Sequence, residues 1–276
     1  MKTRAWLLLF AICVSLRAVP MQVVSSGYGS GDAYVTCVID GVKERCFLDT
    51  GSPLTIVPNS KRYASYTNLG AFHFKSAADI AQEIETIRVG AIEVDGTVFP
   101  RVKVGRANFH GAENTLGIDL LGQQPFAIRF KPKPTLELNA GRPERTFATL
   151  EVSKQGLLAI PIEVGGSEVR ALWDTGVSIT SVDQGFVAAH PENFKAMNRY
   201  ANGFDGAGKP MFLQIFRAKK ISIAGRAFED VRVVAADLSV LRDHSNQDIQ
   251  AVIGFNLIRK GDWFFDTKSR VWSFQR

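Results

Sequence analysis

The sequence predicts an all-β protein built as two homologous lobes, and three observations carry that expectation. A domain-sized segment occurs twice, each copy is a series of short β-rich runs broken by Gly-rich turns, and helix signals are sparse. The first copy opens with Tyr34-Val35-Thr36-Cys37-Val38-Ile39, turns at Asp40-Gly41, and runs from Val42 to Leu48 into Asp49-Thr50-Gly51-Ser52. The second opens with Ile160-Pro161-Ile162-Glu163-Val164, turns at Gly165-Gly166, and runs from Ser167 to Trp173 into Asp174-Thr175-Gly176-Val177. Asp-Gly and Gly-Gly between β-rich runs are two-residue hairpin signals, because these residues accept positive φ.

The copies are offset by 125 residues, and Gly41/Gly166, Arg45/Arg170, Thr55/Thr180 and Val57/Val182 all keep that offset. Further on, Gly96 with Phe99, Val102 and Val104 recurs as Gly225 with Phe228, Val231 and Val233. Leu116-Gly117-Ile118-Asp119-Leu120-Leu121 recurs as Ile253-Gly254-Phe255-Asn256-Leu257-Ile258. Landmarks in the same order at similar spacing define a duplication, and a unit this long occurring twice excludes a short-period solenoid. The expected boundaries are a short N-terminal segment at 19–32, a first lobe at 33–139, a Gly- and Pro-punctuated connection at 140–154, and a second lobe at 155–276. Short helices are expected within Ala77 to Ile87 and within Gly185 to Tyr200, the latter interrupted by Pro191.

Residues 1–18 read as a cleaved secretory signal, with Lys2 and Arg4 before an apolar run and small Ala18 at its end. That run is short for a membrane span, so the expected location is secreted or periplasmic, with no stable span after cleavage; an uncleaved N-terminal anchor is the other reading. Losing Lys2, Arg4 and Arg17, and no acidic residue, lowers the formal net charge from +6 to +3. The remaining basic residues form no concentrated face, and Arg129-Phe130-Lys131-Pro132-Lys133 reads as a solvated strand end, so no nucleic-acid partner is expected. Ser26 to Gly31 reads as a flexible leader, and Val19 to Asp32 is too short for an inhibitory prosegment. Cys37 and Cys46 flank the first hairpin as diagonal neighbours; an exported context favours a disulfide, and two buried thiols are the other reading.

The chemistry sits in the repeated Asp-Thr-Gly. A single copy is an ordinary turn signal. Two copies at equivalent positions of a duplication, each after an apolar strand, place two carboxylates at a two-fold axis. Like charges sharing one site retain a proton between them. Such a pair activates water as general base and protonates a leaving amine as general acid. His73, His110, His190 and His244 lack metal-site spacing, and no Gly-x-Ser-x-Gly elbow or nucleophilic Cys motif occurs, so neither a metal nor another cofactor is expected.

With these motifs in view, the sequence resembles the aspartic proteases, both the retroviral and the bilobal pepsin type. The resemblance rests on Phe47-Leu48-Asp49-Thr50-Gly51-Ser52 and Leu172-Trp173-Asp174-Thr175-Gly176-Val177, with Thr115-Leu116-Gly117 and Val252-Ile253-Gly254 as the downstream glycine motifs. It covers about Ala33 to Phe274. It implies a bilobal aspartic protease fold, with two retropepsin-like β-barrel lobes and a peptide-binding cleft between them. Asp49 and Asp174 would be catalytic, supported by Thr50, Gly51, Ser52, Thr175, Gly176 and Val177, with the two threonines bonding across the interface. The implied activity is that of a monomeric endopeptidase. A peptide-binding module that keeps the fold without turnover is the alternative. Val177 departs from the pattern, since the pepsin type carries Ser or Thr there; Ser52 keeps a hydroxyl in the first lobe. Substrate-covering hairpin tips are expected at Gly203 to Pro210 and around Phe74 to Asp79.

Overall fold

The computed structural model describes residues 18–75, 81–109, 111–144, 147–204, 209–245 and 247–275. The predicted signal therefore lies outside the described residues, apart from Ala18, as do most of both expected hairpin tips.

Period-two burial builds the first lobe. In the strand Gly31–Ile39, residues Ala33, Val35, Cys37 and Ile39 are all at most 2% exposed, so one face of the strand is core. Asp40 and Gly41 both adopt positive φ, 46° and 76°, and reverse the chain into Val42–Asp49. The pairing sets Val35 opposite Cys46 and Cys37 opposite Glu44. The two cysteines are thus diagonal neighbours, and they are disulfide-bonded with their Cα atoms 6.0 Å apart. These strands belong to a ten-stranded sheet. The second lobe repeats the start: Leu158–Val164, a turn at Gly165 and Gly166 with φ of 60° and 91°, then Ser167–Trp173. Leu158–Val164 also pairs with Pro210–Ile223, which closes a barrel within an eight-stranded sheet.

Each lobe threads its glycine motif in the same way. Thr115–Gly117 runs parallel to Val42–Asp49, with Gly117 opposite Asp49, and antiparallel to Ile56–Pro58. Ile249–Ile253 runs parallel to Ser167–Trp173 and antiparallel to Ser181–Asp183. The strand ends at Asp49 and just before Asp174 are thereby held by ladder pairing to the glycine-motif strands.

A third, six-stranded sheet joins the lobes. Phe126–Arg129, paired with Thr135–Leu138 of the first half, pairs on its other side with Asp262–Asp266 of the second, which in turn pairs with Val271–Gln275. Ala18–Pro20 and Ala148–Thr149 form its edges. Its inner face is aromatic. Trp173, immediately before Asp174, lies 4.5 Å from Phe265 and 5.6 Å from Trp263, centroid to centroid, with all three fully buried. Such pairs each contribute about 0.5–1.5 kcal/mol beyond their burial, so the second catalytic strand rests on a stiff floor.

Two expectations need correction. Ala77 to Ile87 holds no helix among its described residues: Ala81–Arg88 is a strand, with Ile84 and Thr86 inward and Glu83 and Arg88 outward. Gly185 to Tyr200 does hold a short helix, Gln184–Ala189, capped by the Asp183 carboxylate and ending before Pro191, and the chain is a strand from Phe194. The supposed flexible leader is also built in. Gln22–Ser25 pairs with Gly31–Ile39, and the first-lobe strand begins at Gly31.

Candidate active site

Asp49 ends one ladder-fixed strand and Asp174 directly follows another, and the chain turns sharply after each. The turns meet. The Thr50 amide donates to Thr175 Oγ1 at 3.0 Å, and the Thr175 amide donates to Thr50 Oγ1 at 3.1 Å. Each hydroxyl then donates across the interface, Thr50 Oγ1 to the Trp173 carbonyl (3.1 Å) and Thr175 Oγ1 to the Leu48 carbonyl (2.8 Å). Both threonines are fully buried. Four reciprocal bonds with no solvent access make the two loops one unit, since any one lost leaves a buried polar group unpaired.

This tie brings the carboxylates together. The Gly51 amide lies 3.0 Å from Asp49 Oδ1 and 3.1 Å from Asp174 Oδ1, so a single N–H is shared between them. The Gly176 amide donates to Asp174 Oδ1 at 2.8 Å and the Ser52 amide to Asp49 Oδ1 at 3.1 Å. Burial, then the adjacent Asp174 charge, pushes the Asp49 carboxyl well above the usual carboxylate range. Burial also raises Asp174, but amide donors at Gly176, Gly51 and Val177 and a hydrogen bond with Asp49 hold it back. Two buried carboxylates this close cannot both ionise cheaply, so they titrate as a unit and share a proton.

Two neighbours differ from expectation. Ser52 Oγ donates to the Leu54 carbonyl at 2.8 Å and leaves the Asp49 carboxylate to backbone amides. Val177 offers only its amide to Asp174. Neither carboxylate thus has a hydroxyl donor from the residue three positions on, and both are raised. Next to Val177, Ser178 Oγ donates to Asp32 Oδ1 of the first lobe at 3.0 Å, a second tie across the interface.

Sequence reasoning passed over two residues behind the loops. Thr55 Oγ1 donates to Asp119 Oδ1 (2.7 Å) and accepts from the Gly117 amide (3.1 Å). Thr180 Oγ1 donates to Asn256 Oδ1 (2.8 Å) and accepts from the Gly254 amide (3.1 Å). The duplication was the signal for them, since Thr55/Thr180 and Asp119/Asn256 are matched pairs of the repeat. Among the described residues no group of His, Cys, Asp and Glu is arranged to hold a metal ion, and no helix is long and apolar enough to cross a membrane.

Residues 160–257 match the family described as Aspartyl protease. No curated protein sequence matches the chain. Among solved structures, the aspartic proteinase from Irpex lacteus superposes with a TM-score of 0.60 at 14% identity, covering 94% of this chain and 96% of that one. The fold is that of the aspartic proteases, and the family match falls on the second lobe.

Proposed function

We propose that this chain is an endopeptidase of the aspartic protease superfamily that hydrolyses peptide bonds with a water held between Asp49 and Asp174. The observation that carries this reading is the shared Gly51 amide, within 3.1 Å of one oxygen of each carboxylate. A water on the outer side of such a pair loses a proton to the ionised Asp174 as it attacks the scissile carbonyl. Asp49 donates its own proton to the carbonyl oxygen. The proton taken from water then passes to the leaving amine as the C–N bond breaks. A hydroxyl of the tetrahedral gem-diol returns its proton to Asp49 as the product carboxyl forms, so one proton again remains on the pair. Both carboxylates lie in one chain, so the enzyme acts as a monomer, with the polypeptide substrate between the lobes. Its specific activity stays constant on dilution, and loss of activity together with subunit dissociation in sedimentation would contradict this. The apolar N-terminus supports export to a periplasmic or extracellular space.

The test is incubation of the purified chain with unfolded casein across a range of pH, with fragments resolved by mass spectrometry. Fragments that vanish with Asp174→Asn support the reading. Binding without cleavage would favour the peptide-binding alternative, to which Val177 and the diverted Ser52 hydroxyl lend support.

The same two residues set the pH dependence. With no hydroxyl donor on either side, both ionisations of the pair stay high, and activity peaks in mildly rather than strongly acidic solution. Val177→Thr supplies a donor to Asp174 and moves the acidic limb of the pH–rate profile down. Ser52→Ala leaves the limb where it is, because Ser52 Oγ is committed to Leu54. Profiles on one peptide substrate check both. A limb that stays put in folded Val177→Thr removes Val177 from this account.

A further inference from the structure

Behind the dyad, the two lobes carry the same clamp with one chemical difference. In the second lobe Asn256 Oδ1 accepts from both the amide and the hydroxyl of Thr180, each at 2.8 Å, while its Nδ2 donates to the Arg232 carbonyl at 2.9 Å. Every polar atom of that amide is used, and none titrates. In the first lobe the clamp on Thr55 is the carboxyl of Asp119. Thr55 closes the loop that begins at Asp49, and the segment Gly117–Asp119 grips that loop a second time, through the Ile118 amide on the Ser52 carbonyl (2.9 Å).

Asp119 lines an open cavity of about 330 Å³, walled also by Gln123, Val152, Gly156, Thr267 and Lys268. Lys268 is the one other charged residue of that wall. Gln123 Nε2 donates to the Asp119 backbone carbonyl (3.0 Å), and the Thr55 hydroxyl donates to the Asp119 carboxyl (2.7 Å). Desolvation outweighs the hydrogen bonds from Thr55 and raises the Asp119 carboxyl above its ordinary value.

We propose that Asp119 is a titratable positioning residue of the first catalytic loop, holding Thr55 as Asn256 holds Thr180 but through a group that exchanges a proton. The ionised carboxylate is the stronger acceptor for the Thr55 hydroxyl and amide. Acid therefore weakens the first-lobe clamp and leaves the second untouched. This deepens the proposed peptidase function, yet half of its test needs no activity.

The first measurement is Tm against pH for the full chain and for Asp119→Asn. A carboxyl raised in the folded state stabilises most below its unfolded pKa and loses that contribution as pH rises through the folded value. Asp119→Asn should therefore gain Tm on the parent between about pH 3 and pH 7, by roughly 2–4 °C. A pH-independent difference overturns the proposal, whatever the casein assay shows. The second measurement is kcat and KM for Asp119→Asn and Asp119→Ala. The proposal requires Ala to lose about tenfold or more in kcat at unchanged KM, and Asn to restore most of it with a shallower acidic limb. Equal kcat values in the two variants, or an acidic limb in Asn identical to the parent's, would refute it. A parent chain that cleaves nothing would refute the peptidase function alone and leave the Tm result to decide the clamp.

Discussion

Asp49→Asn and Asp174→Asn should each abolish peptide hydrolysis, by at least about a thousandfold in kcat/KM, while the chain stays folded. The size follows from the division of labour. General acid–base assistance contributes about 10²–10⁴-fold, and each carboxylate takes part in both proton transfers of the cycle. Asparagine keeps the shape and the amide contacts of Gly51, Ser52 and Gly176, so the loss is chemical rather than structural. Stability moves the other way. Asp49 is raised by burial and by Asp174, so the parent is most stable when that carboxyl is protonated and loses stability as pH rises through its folded pKa. Asp49→Asn removes the penalty, and its Tm should exceed the parent's by a margin that grows from acid towards neutral pH. A variant that folds, melts higher at neutral pH and cleaves nothing is the expected combination. Substantial turnover by either folded variant would break the dyad assignment.

What the sequence made legible was whatever repeats and whatever alternates. The hairpins at Asp40-Gly41 and Gly165-Gly166 were readable because a two-residue reversal demands positive φ, and the chain spells that demand in Gly and Asp. The pairing of Asp49 with Asp174 was readable because duplication turns equivalent positions into neighbours. The six-stranded sheet was not readable. Phe126 pairs with Phe265, and nothing in two apolar runs so far apart in sequence names them as partners. Ala81–Arg88 was misjudged as a helix because Ala-, Gln- and Glu-rich composition favours one, while a strand paired on both sides tolerates the same residues where they are partly exposed. Donor direction was equally hidden. Ser52 was expected to serve Asp49, yet its hydroxyl turns to Leu54, because the Gly51 and Ser52 amides already occupy that carboxylate. Asp119 and Asn256 were visible as a matched pair and passed over, since a residue acting through a threonine bears no motif of its own.

The glycines of the two loops carry the other large effect. A Cβ built on Gly51 falls no farther than 2.6 Å from either oxygen of Asp174, and one on Gly176 falls no farther than 2.5 Å from the Asp49 carboxyl carbon. Each glycine thus leaves room for the opposite lobe's carboxylate, which is why both turns need one. Neither residue has positive φ, so alanine strains no backbone angle there; the whole cost is the collision. The carboxylate cannot swing aside freely, because it is hydrogen-bonded to the same loops and the threonine tie fixes both backbones. Gly51→Ala should therefore displace Asp174, and Gly176→Ala should displace Asp49. Either change should lower kcat/KM by about a thousandfold or more, because a dyad with one member misplaced has lost a proton-transfer partner. Overpacking should also cost about 1–3 kcal/mol of stability. Gly27→Ala is the control, since a Cβ there meets nothing within 4 Å. Steady-state kinetics with thermal denaturation on the three variants separates the cases. If Gly51→Ala or Gly176→Ala retains activity near that of Gly27→Ala, the carboxylates do not approach the opposite loops as closely as the shared Gly51 amide requires, and the geometry of the water-holding pair must be redrawn.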